Sequence, residues 1–243
     1  MTAARDAARP VLIPTPREKT VLPGRPRGFA IGSPGRVFLP AAQDERTAFA
    51  AEFLRRELAK ATGGTWRTRT CGADGPTGVR PQDIVLWDRR AVDIQPSLPA
   101  RLRRLEGLAA EQGYALRASA GTPVVVYAAS SLGLLYGAAT LVQLLERERG
   151  GVALANVAVW DAPAVRVRGT NWNLMGEVGG WSYDRADGRR AYERRIVRKL
   201  DLCVRYKINL VNFDGFGWNA DRFAGYAAMM RRLNRAARLR GIR

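Results

Sequence analysis

The 243-residue chain carries 40 Lys and Arg against 22 Asp and Glu, a formal net charge of +18, with two cysteines and no histidine. Without imidazole a Ser-His-Asp triad, a Cys-His dyad and a conventional zinc site are excluded, so neither metal nor cofactor is expected. A charge of this sign ordinarily points to nucleic acid, but only Lys19, Lys60, Lys199 and Lys207 are lysine and the arginines are scattered without interleaved aromatics, a composition typical of a GC-rich coding sequence rather than of a strand-binding groove. No nucleic-acid partner is expected.

Residues 1–10 read as a disordered lead, and "MTAARDAARPVLIPTPRE" contains no apolar core of a secretory signal, which sets the expectation of a cytoplasmic protein. Short strands are predicted at Val11–Ile13, Gly28–Ile31 and Val37–Leu39 between prolines. A helix over about Glu45–Ala61 aligns Phe49, Phe53, Leu54, Leu58 and Ala61, and "TGG" ends it. Strands at Thr65–Thr70 and Ile84–Trp87 follow, then a helix marked by Leu98, Leu102, Leu105 and Leu108 that stops at Gly113. Tyr114–Ala118 and Val124–Tyr127 read as a hairpin.

The stretch Pro123 to Leu145 runs 23 residues without a charge, enough in length to cross a bilayer. Its chemistry divides it in two. Val124–Tyr127 is β-branched and aromatic, Ser130-Ser131 is an N-terminal cap, and Leu132, Leu135, Ala139, Leu141, Val142 and Leu145 surround a helix of about 14 residues, a core helix and not a membrane span. Strands alternating with helices predict an α/β fold class, with a first domain over 11–150 and a linker over 151–163 that holds a short strand around Val152–Val159. From 164 to 243 the pattern becomes β-α-β-α: a strand at Val165–Met175, a helix at Tyr192–Tyr206 facing inward through Ile196, Leu200 and Val204, a strand in "KINLVNFDGFGW", and a helix with Phe223, Tyr226, Ala227, Met230, Leu233 and Ala237 on one face. A parallel (β/α)8 barrel needs about 250 residues. The 79 residues from Val165 provide only its start, and a third strand is expected to begin at "RGIR".

"VLIPTPRE", "GYALRASAGTPVVVYAASSLGLLYGAATLVQLL" and "VAVWDAPAVRVRG" together resemble, over about residues 11–169, the non-catalytic N-terminal domain of glycoside hydrolase family 20, the β-N-acetylhexosaminidases, running into the first barrel strand. The segment from Gly-Leu-Leu-Tyr-Gly to Gln-Leu-Leu is its most specific part. The resemblance implies a zincin-like accessory domain, a mixed sheet with helices, ahead of an incomplete TIM barrel, and a carbohydrate substrate as partner. It also implies that Arg168, in "RG", hydrogen-bonds sugar hydroxyls, although a bond within the barrel serves an arginine there equally well.

Asn173 falls where the family usually has aspartate, and the following "RHF" is missing. Lys207 and Asn209 match the family's "K.N", while its histidine-containing strand and acidic pair are absent. Asp214 and Trp218 are expected at the C-terminal rim of the second strand. Trp172, Trp181 and Trp218 are candidates to stack on sugar faces, against the commoner fate of a core tryptophan. The candidate substrate-binding set is Arg168, Trp172, Asn173, Asp214 and Trp218.

Catalysis in the family is implied to rest on an Asp-Glu pair after the fourth strand, Glu protonating the leaving oxygen and Asp orienting the substrate acetamide as nucleophile. No fourth strand is present, and Glu177 and Asp214 are the only rim carboxylates near loops. No catalytic residue is assigned, and this chain alone is expected to be inactive. An α-glucuronidase-like carbohydrase with a similar accessory domain and a non-catalytic carbohydrate-binding remnant stand as alternatives.

Overall fold

The structure, a computed structural model, describes residues 11–24, 28–72, 77–88, 106–148, 150–173, 186–214 and 225–243. It divides into two compact units, Met1–Ala164 and Val165–Arg243.

The first unit is built on a seven-stranded mixed sheet. In chain order its strands are β1 (Glu18–Val21), β3 (Gly35–Leu39), β4 (Trp66–Thr70), β5 (Ile84–Asp88), β6 (Tyr114–Ala118), β7 (Val124–Ala128) and β10 (Val157–Asp161). Their spatial order is β1-β10-β6-β7-β5-β3-β4, parallel from β7 through β4 and antiparallel from β1 through β7. A second, antiparallel sheet orders β2 (Phe29–Ile31), β9 (Gly151–Leu154) and β8 (Leu145–Glu148). Helices α1 (Glu45–Thr62) and α3 (Ser131–Gln143) pack on each other and on the large sheet, and the short α2 (Gly107–Gln112) packs on α3. Strand parity sorts the core into two layers. Phe38, Val85, Trp87, Ala115, Val125 and Tyr127 form one, with Ala109 and Ala110 of α2 against it. The intervening Val37, Ile84, Leu86, Leu116, Val124 and Val126 are buried on the opposite parity.

The stretch tested above as a membrane span is β7 followed by α3. Ser130 caps the helix by accepting the Gly133 N–H at 3.0 Å. Leu134 through Leu141 are all buried. Among the described residues no helix is long and apolar enough to cross a membrane. Two glycines set the depth at which α3 lies. A Cβ on Gly137 would stand 2.3 Å from Val126 Cγ1 and 3.1 Å from Tyr114 Cδ2, and one on Gly133 would stand 2.2 Å from the Gly113 carbonyl oxygen. The glycines of "GLLYG" therefore let helix backbone touch the β6–β7 hairpin.

Two polar knots complete this unit. The Tyr114 hydroxyl lies 2.6 Å from Thr140 Oγ1 and donates to Asp161 Oδ2 at 3.2 Å, joining β6, α3 and β10. Burial and the Asp161 charge push the Tyr114 pKa well up, so it stays a neutral donor. Asp83, 1% exposed, is bonded by Arg36 Nε at 3.1 Å, by Arg36 Nη2 and by the Arg80 N–H at 2.6 Å. Burial alone would raise the Asp83 pKa, but the Arg36 and Arg80 hydrogen bonds and charges outweigh it and hold the carboxyl below its usual range.

Three expectations change. Val11–Ile13 is not a strand: the Ile13 N–H and C=O are both taken by the Gln143 side-chain amide, each at 2.8 Å, so α3 satisfies the backbone that a sheet partner would have satisfied. The stretch 151–163, expected as a linker with one short strand around Val152–Val159, supplies two, β9 and β10, and β10 lies inside the large sheet between β1 and β6. Strand β1, too short and polar to announce itself as "EKTV", was not anticipated. Of the helix expected through Leu98, Leu102, Leu105 and Leu108, the end is α2, which stops at Gly113, and the rest lies outside the described residues, as does Trp181. Cys71 and Cys203 are free and buried, and burial pushes both thiols up to about 11.

Replacing Gly137 by alanine forces a methyl into Val126 and should cost about 1–3 kcal/mol in urea unfolding; an unchanged midpoint would mean that α3 does not lie at this depth. Because the folded Asp83 pKa is depressed, its contribution is present above the unfolded carboxylate value of about 4 and is lost as pH falls through the folded value. Asp83→Asn should therefore cost about 1–3 kcal/mol at pH 7 and flatten the loss of stability seen in acid; equal acid sensitivity in both proteins would discard the assignment.

Candidate functional site

The second unit is a β-α-β-α run: β11 (Gly169–Asn173), α4 (Ala186–Arg205), β12 (Leu210–Asp214) and α5 (Tyr226–Leu239). The strands pair in parallel from Gly169 opposite Leu210 to Asn173 opposite Asp214. Tyr192, Ile196, Leu200 and Cys203 of α4 meet Met229, Leu233 and Ala237 of α5 over Val211 of β12. On α5 the expected Leu233 and Ala237 are buried and Tyr226 and Met230 half-buried, while Met229 joins the inward face and Ala227 is exposed. Arg240, 5% exposed, bonds Asp201 at 2.8 Å, and Arg232 pairs with Glu193, so ion pairs fasten the two helices.

Both helices end in the same way. The Lys207 N–H bonds the Val204 carbonyl and the Ile208 N–H bonds the Cys203 carbonyl; Gly241 and Ile242 repeat this with Arg238 and Ala237. This is a Schellman close, with Lys207 at φ 57° in the position Gly241 takes at φ 67°. Each close turns the chain back toward the sheet. Beyond the second, the Arg243 N–H bonds the Asn209 carbonyl and its own carbonyl accepts from Val211, both at 2.9 Å, the pattern of a third parallel strand against β12.

Arg168 precedes β11 at the start of the strand. Its Nε donates to the Lys207 carbonyl and its Nη1 to the Val165 carbonyl, both at 2.7 Å. Asn209 clamps the same turn, accepting the Arg168 N–H at 2.8 Å and donating to the Arg166 carbonyl at 2.8 Å. Arg168, Lys207 and Asn209, the three residues that carried the resemblance into this unit, thus meet at the strand starts. Asn173 and Asp214 are register partners at the other end of the strands, about 15 Å away at 3.3 Å per residue.

Trp172 belongs to neither group. Half-buried, it packs on the helical core, edge-on to Phe213 at 5.7 Å with Lys199 Nζ 5.4 Å from its ring centroid. Trp218 lies outside the described residues.

Sequence reading missed Asn171 and Asn212. They are opposite one another in register, exposed, and joined by an Asn212 Nδ2 donation to Asn171 Oδ1 at 3.1 Å. The signal was there as a polar alternation, Asn171 and Asn173 on one strand and Asn212 and Asp214 on the next, but its meaning depends on which strand face the helices cover. Among the described residues no three His, Cys, Asp or Glu side chains converge to hold a metal.

Residues 9–162 match the family description "Glycosyl hydrolase family 20, domain 2". The chain belongs to glycosyl hydrolase family 20. Among solved structures it is similar in fold to the chitobiase of Flavobacterium johnsoniae, with TM-score 0.65, 18% identity, 95% of this chain and 33% of that one covered. It is similar also to the Streptomyces plicatus N-acetyl-β-hexosaminidase in complex with Thio-NAglucal, with TM-score 0.63, 17% identity, 98% of this chain and 44% of that one covered. A third is the Vibrio harveyi exo-β-N-acetylglucosaminidase in complex with N-acetylglucosamine, with TM-score 0.60, 17% identity, 95% of this chain and 35% of that one covered. The chain thus spans between a third and a half of the length of these structures. No curated protein matches it. The family 20 fold of the first unit is the zincin-like mixed sheet with helices that the resemblance implied.

Arg168→Ala should lower unfolding free energy by about 1–3 kcal/mol through loss of its two carbonyl bonds. Lysine at the position, which lacks the fork, should restore only part of it. Urea titration followed by tryptophan fluorescence reads both; full stability in the alanine variant would remove Arg168 from the strand-start clamp.

Proposed function

We propose that this chain is the N-terminal portion of a glycoside hydrolase that releases terminal N-acetylhexosamine by substrate-assisted catalysis, its 164–243 segment opening the catalytic barrel. The observation that carries the reading is the family 20 domain over 9–162 followed within a few residues by a parallel β-α-β-α unit. Family membership and the sugar-cleaving relatives named above support the substrate class. In such a barrel the ligand meets the C-terminal ends of the strands, and Asn173 and Asp214 hold those positions, with Trp218 four residues beyond. We assign hydroxyl binding to this end. Arg168 is a positioning residue, since its Nε and Nη1 bonds tie down the strand start. Two free, buried thiols support a reducing compartment and hence the cytoplasm.

The acid and the acetamide-orienting carboxylate belong to a later strand on this reading. Purified chain should release no p-nitrophenol from p-nitrophenyl N-acetyl-β-glucosaminide, and release at a rate lost on Asp214→Asn would move the acid into this segment. The coding sequence past Arg243 should supply further β-α units with an Asp-Glu pair after the fourth strand. A stop codon there overturns the hydrolase reading and leaves sugar binding alone.

A further inference from the structure

Strand β4 ends the spatial order of the large sheet, with only β3 beside it among the described residues. The two strands run parallel, and their ladder begins with the Gly35 N–H on the Thr65 carbonyl at 3.1 Å and closes with the Cys71 N–H on the Leu39 carbonyl at 2.8 Å. Along a strand the backbone N–H and C=O groups turn to alternate sides residue by residue, so the odd positions of β4 face β3. Trp66, Thr68 and Thr70 turn theirs outward, a row of donors and acceptors with no strand to take them. The entry to this edge is fixed. Ser33 Oγ accepts the Thr65 N–H at 2.6 Å and donates to the Thr65 carbonyl at 3.2 Å, and the Trp66 indole, 2% exposed, donates to Thr62 Oγ1 at 3.1 Å. An incoming strand therefore meets an edge already in place, which lowers the cost of ordering it.

Side chains add a charge pattern to the edge. Trp66 faces α1, which puts Thr68 and Thr70 on that face and Arg67 and Arg69 on the other. Arg67 through Thr70 are all exposed, and neither the Arg67 nor the Arg69 guanidinium has a partner among the described residues. Their register neighbours do not neutralise them: Phe38 stands opposite Arg69, and Arg36, opposite Arg67, is committed to the buried Asp83. Two copies of β4 paired antiparallel about Thr68 would set each Arg67 against Arg69 of the second copy, and like charges directly opposite disfavour that pairing. The same two charges favour a strand with a carboxylate opposite each of them. In an antiparallel pair that exchanges both backbone bonds with Thr68, the positions opposite Arg67 and Arg69 are the non-hydrogen-bonded ones, where side chains stand closest.

We propose that the free edge of β4 takes an extended segment of a partner protein as a further strand, one with acidic residues at alternate positions and an uncharged residue between them opposite Thr68. Backbone bonds to Thr68 and Thr70 supply the affinity, and the two arginines select the sequence. The proposal uses the first unit alone and does not depend on the carbohydrate reading.

The test titrates the 15N-labelled chain with the end-blocked peptide Ser-Thr-Glu-Val-Glu-Thr-Ser, with its counterpart carrying lysine in place of both glutamates, and with the acidic peptide N-methylated at the central valine, which removes the N–H aimed at the Thr68 carbonyl. The backbone amide signals of Thr68 and Thr70 should shift saturably with the first peptide, and the other two should bind at least about 10-fold more weakly. Arg67→Glu combined with Arg69→Glu should reverse the order, so that the lysine peptide binds more tightly than the acidic one. If that double variant fails to fold, the three titrations of the unaltered chain decide. Equal affinity for the three peptides, shifts that leave Thr68 and Thr70 unmoved, or no saturable binding of the acidic peptide overturns the proposal. So does a dimer of the free chain in which the Thr68 and Thr70 amides are protected from hydrogen exchange, since the edge then belongs to a second copy.

Discussion

The first unit depends on how closely α3 lies against the β6–β7 hairpin. The contact is made at Gly133 and Gly137, where any side chain would meet the Gly113 carbonyl or the Val126 methyl. Everything around it follows from that depth. Tyr114 reaches Thr140 and Asp161 because the helix is near enough for a hydroxyl to bridge it to two strands. Gln143, at the last turn of the same helix, holds the entering chain at Ile13. Burial of nearly every residue from Gly133 to Val142 is the thermodynamic return for seating a helix so deep.

The second unit rests on backbone devices instead of close packing by glycine. Two Schellman closes return α4 and α5 to the sheet, and Asn209 and Arg168 tie the incoming turn to the start of β11. These bonds lie at one end of the strands. The polar register pairs lie in the middle and at the other end, where no such structural duty occupies Asn171 and Asn212. Anchoring contacts and polar register pairs thus occupy different parts of two five-residue strands.

Much of the positive charge has structural employment. Arg36 holds Asp83 and the Gly78 carbonyl, Arg240 is buried against Asp201, Arg232 pairs with Glu193, and Arg17 bonds the Ala162 carbonyl over the Trp160 ring. A guanidinium serves these roles because it presents several donors in one plane and stays charged when half-buried. The net charge is therefore a poor guide to the ligand.

The sequence by itself determined α1 and α3, the β6–β7 hairpin and the β-α-β-α run, because in each the apolar period, a cap and a stop residue agree within a dozen neighbouring positions. The GLLYG glycines carried the family resemblance before their contacts were known. Only the tertiary structure decided the rest. Strand β1 and the Ile13 segment owe their conformations to partners more than a hundred residues away. The β10 stretch reads as a short strand in a linker, and only β1 and β6 on either side of it give it a place in the large sheet. The parallel register of β11 and β12 put Arg168 at the strand start and Trp172 under the helices. Asn171 and Asn212 share the other face for the same reason: a period of two names the residues on one face, and only the packed helices say which face they cover.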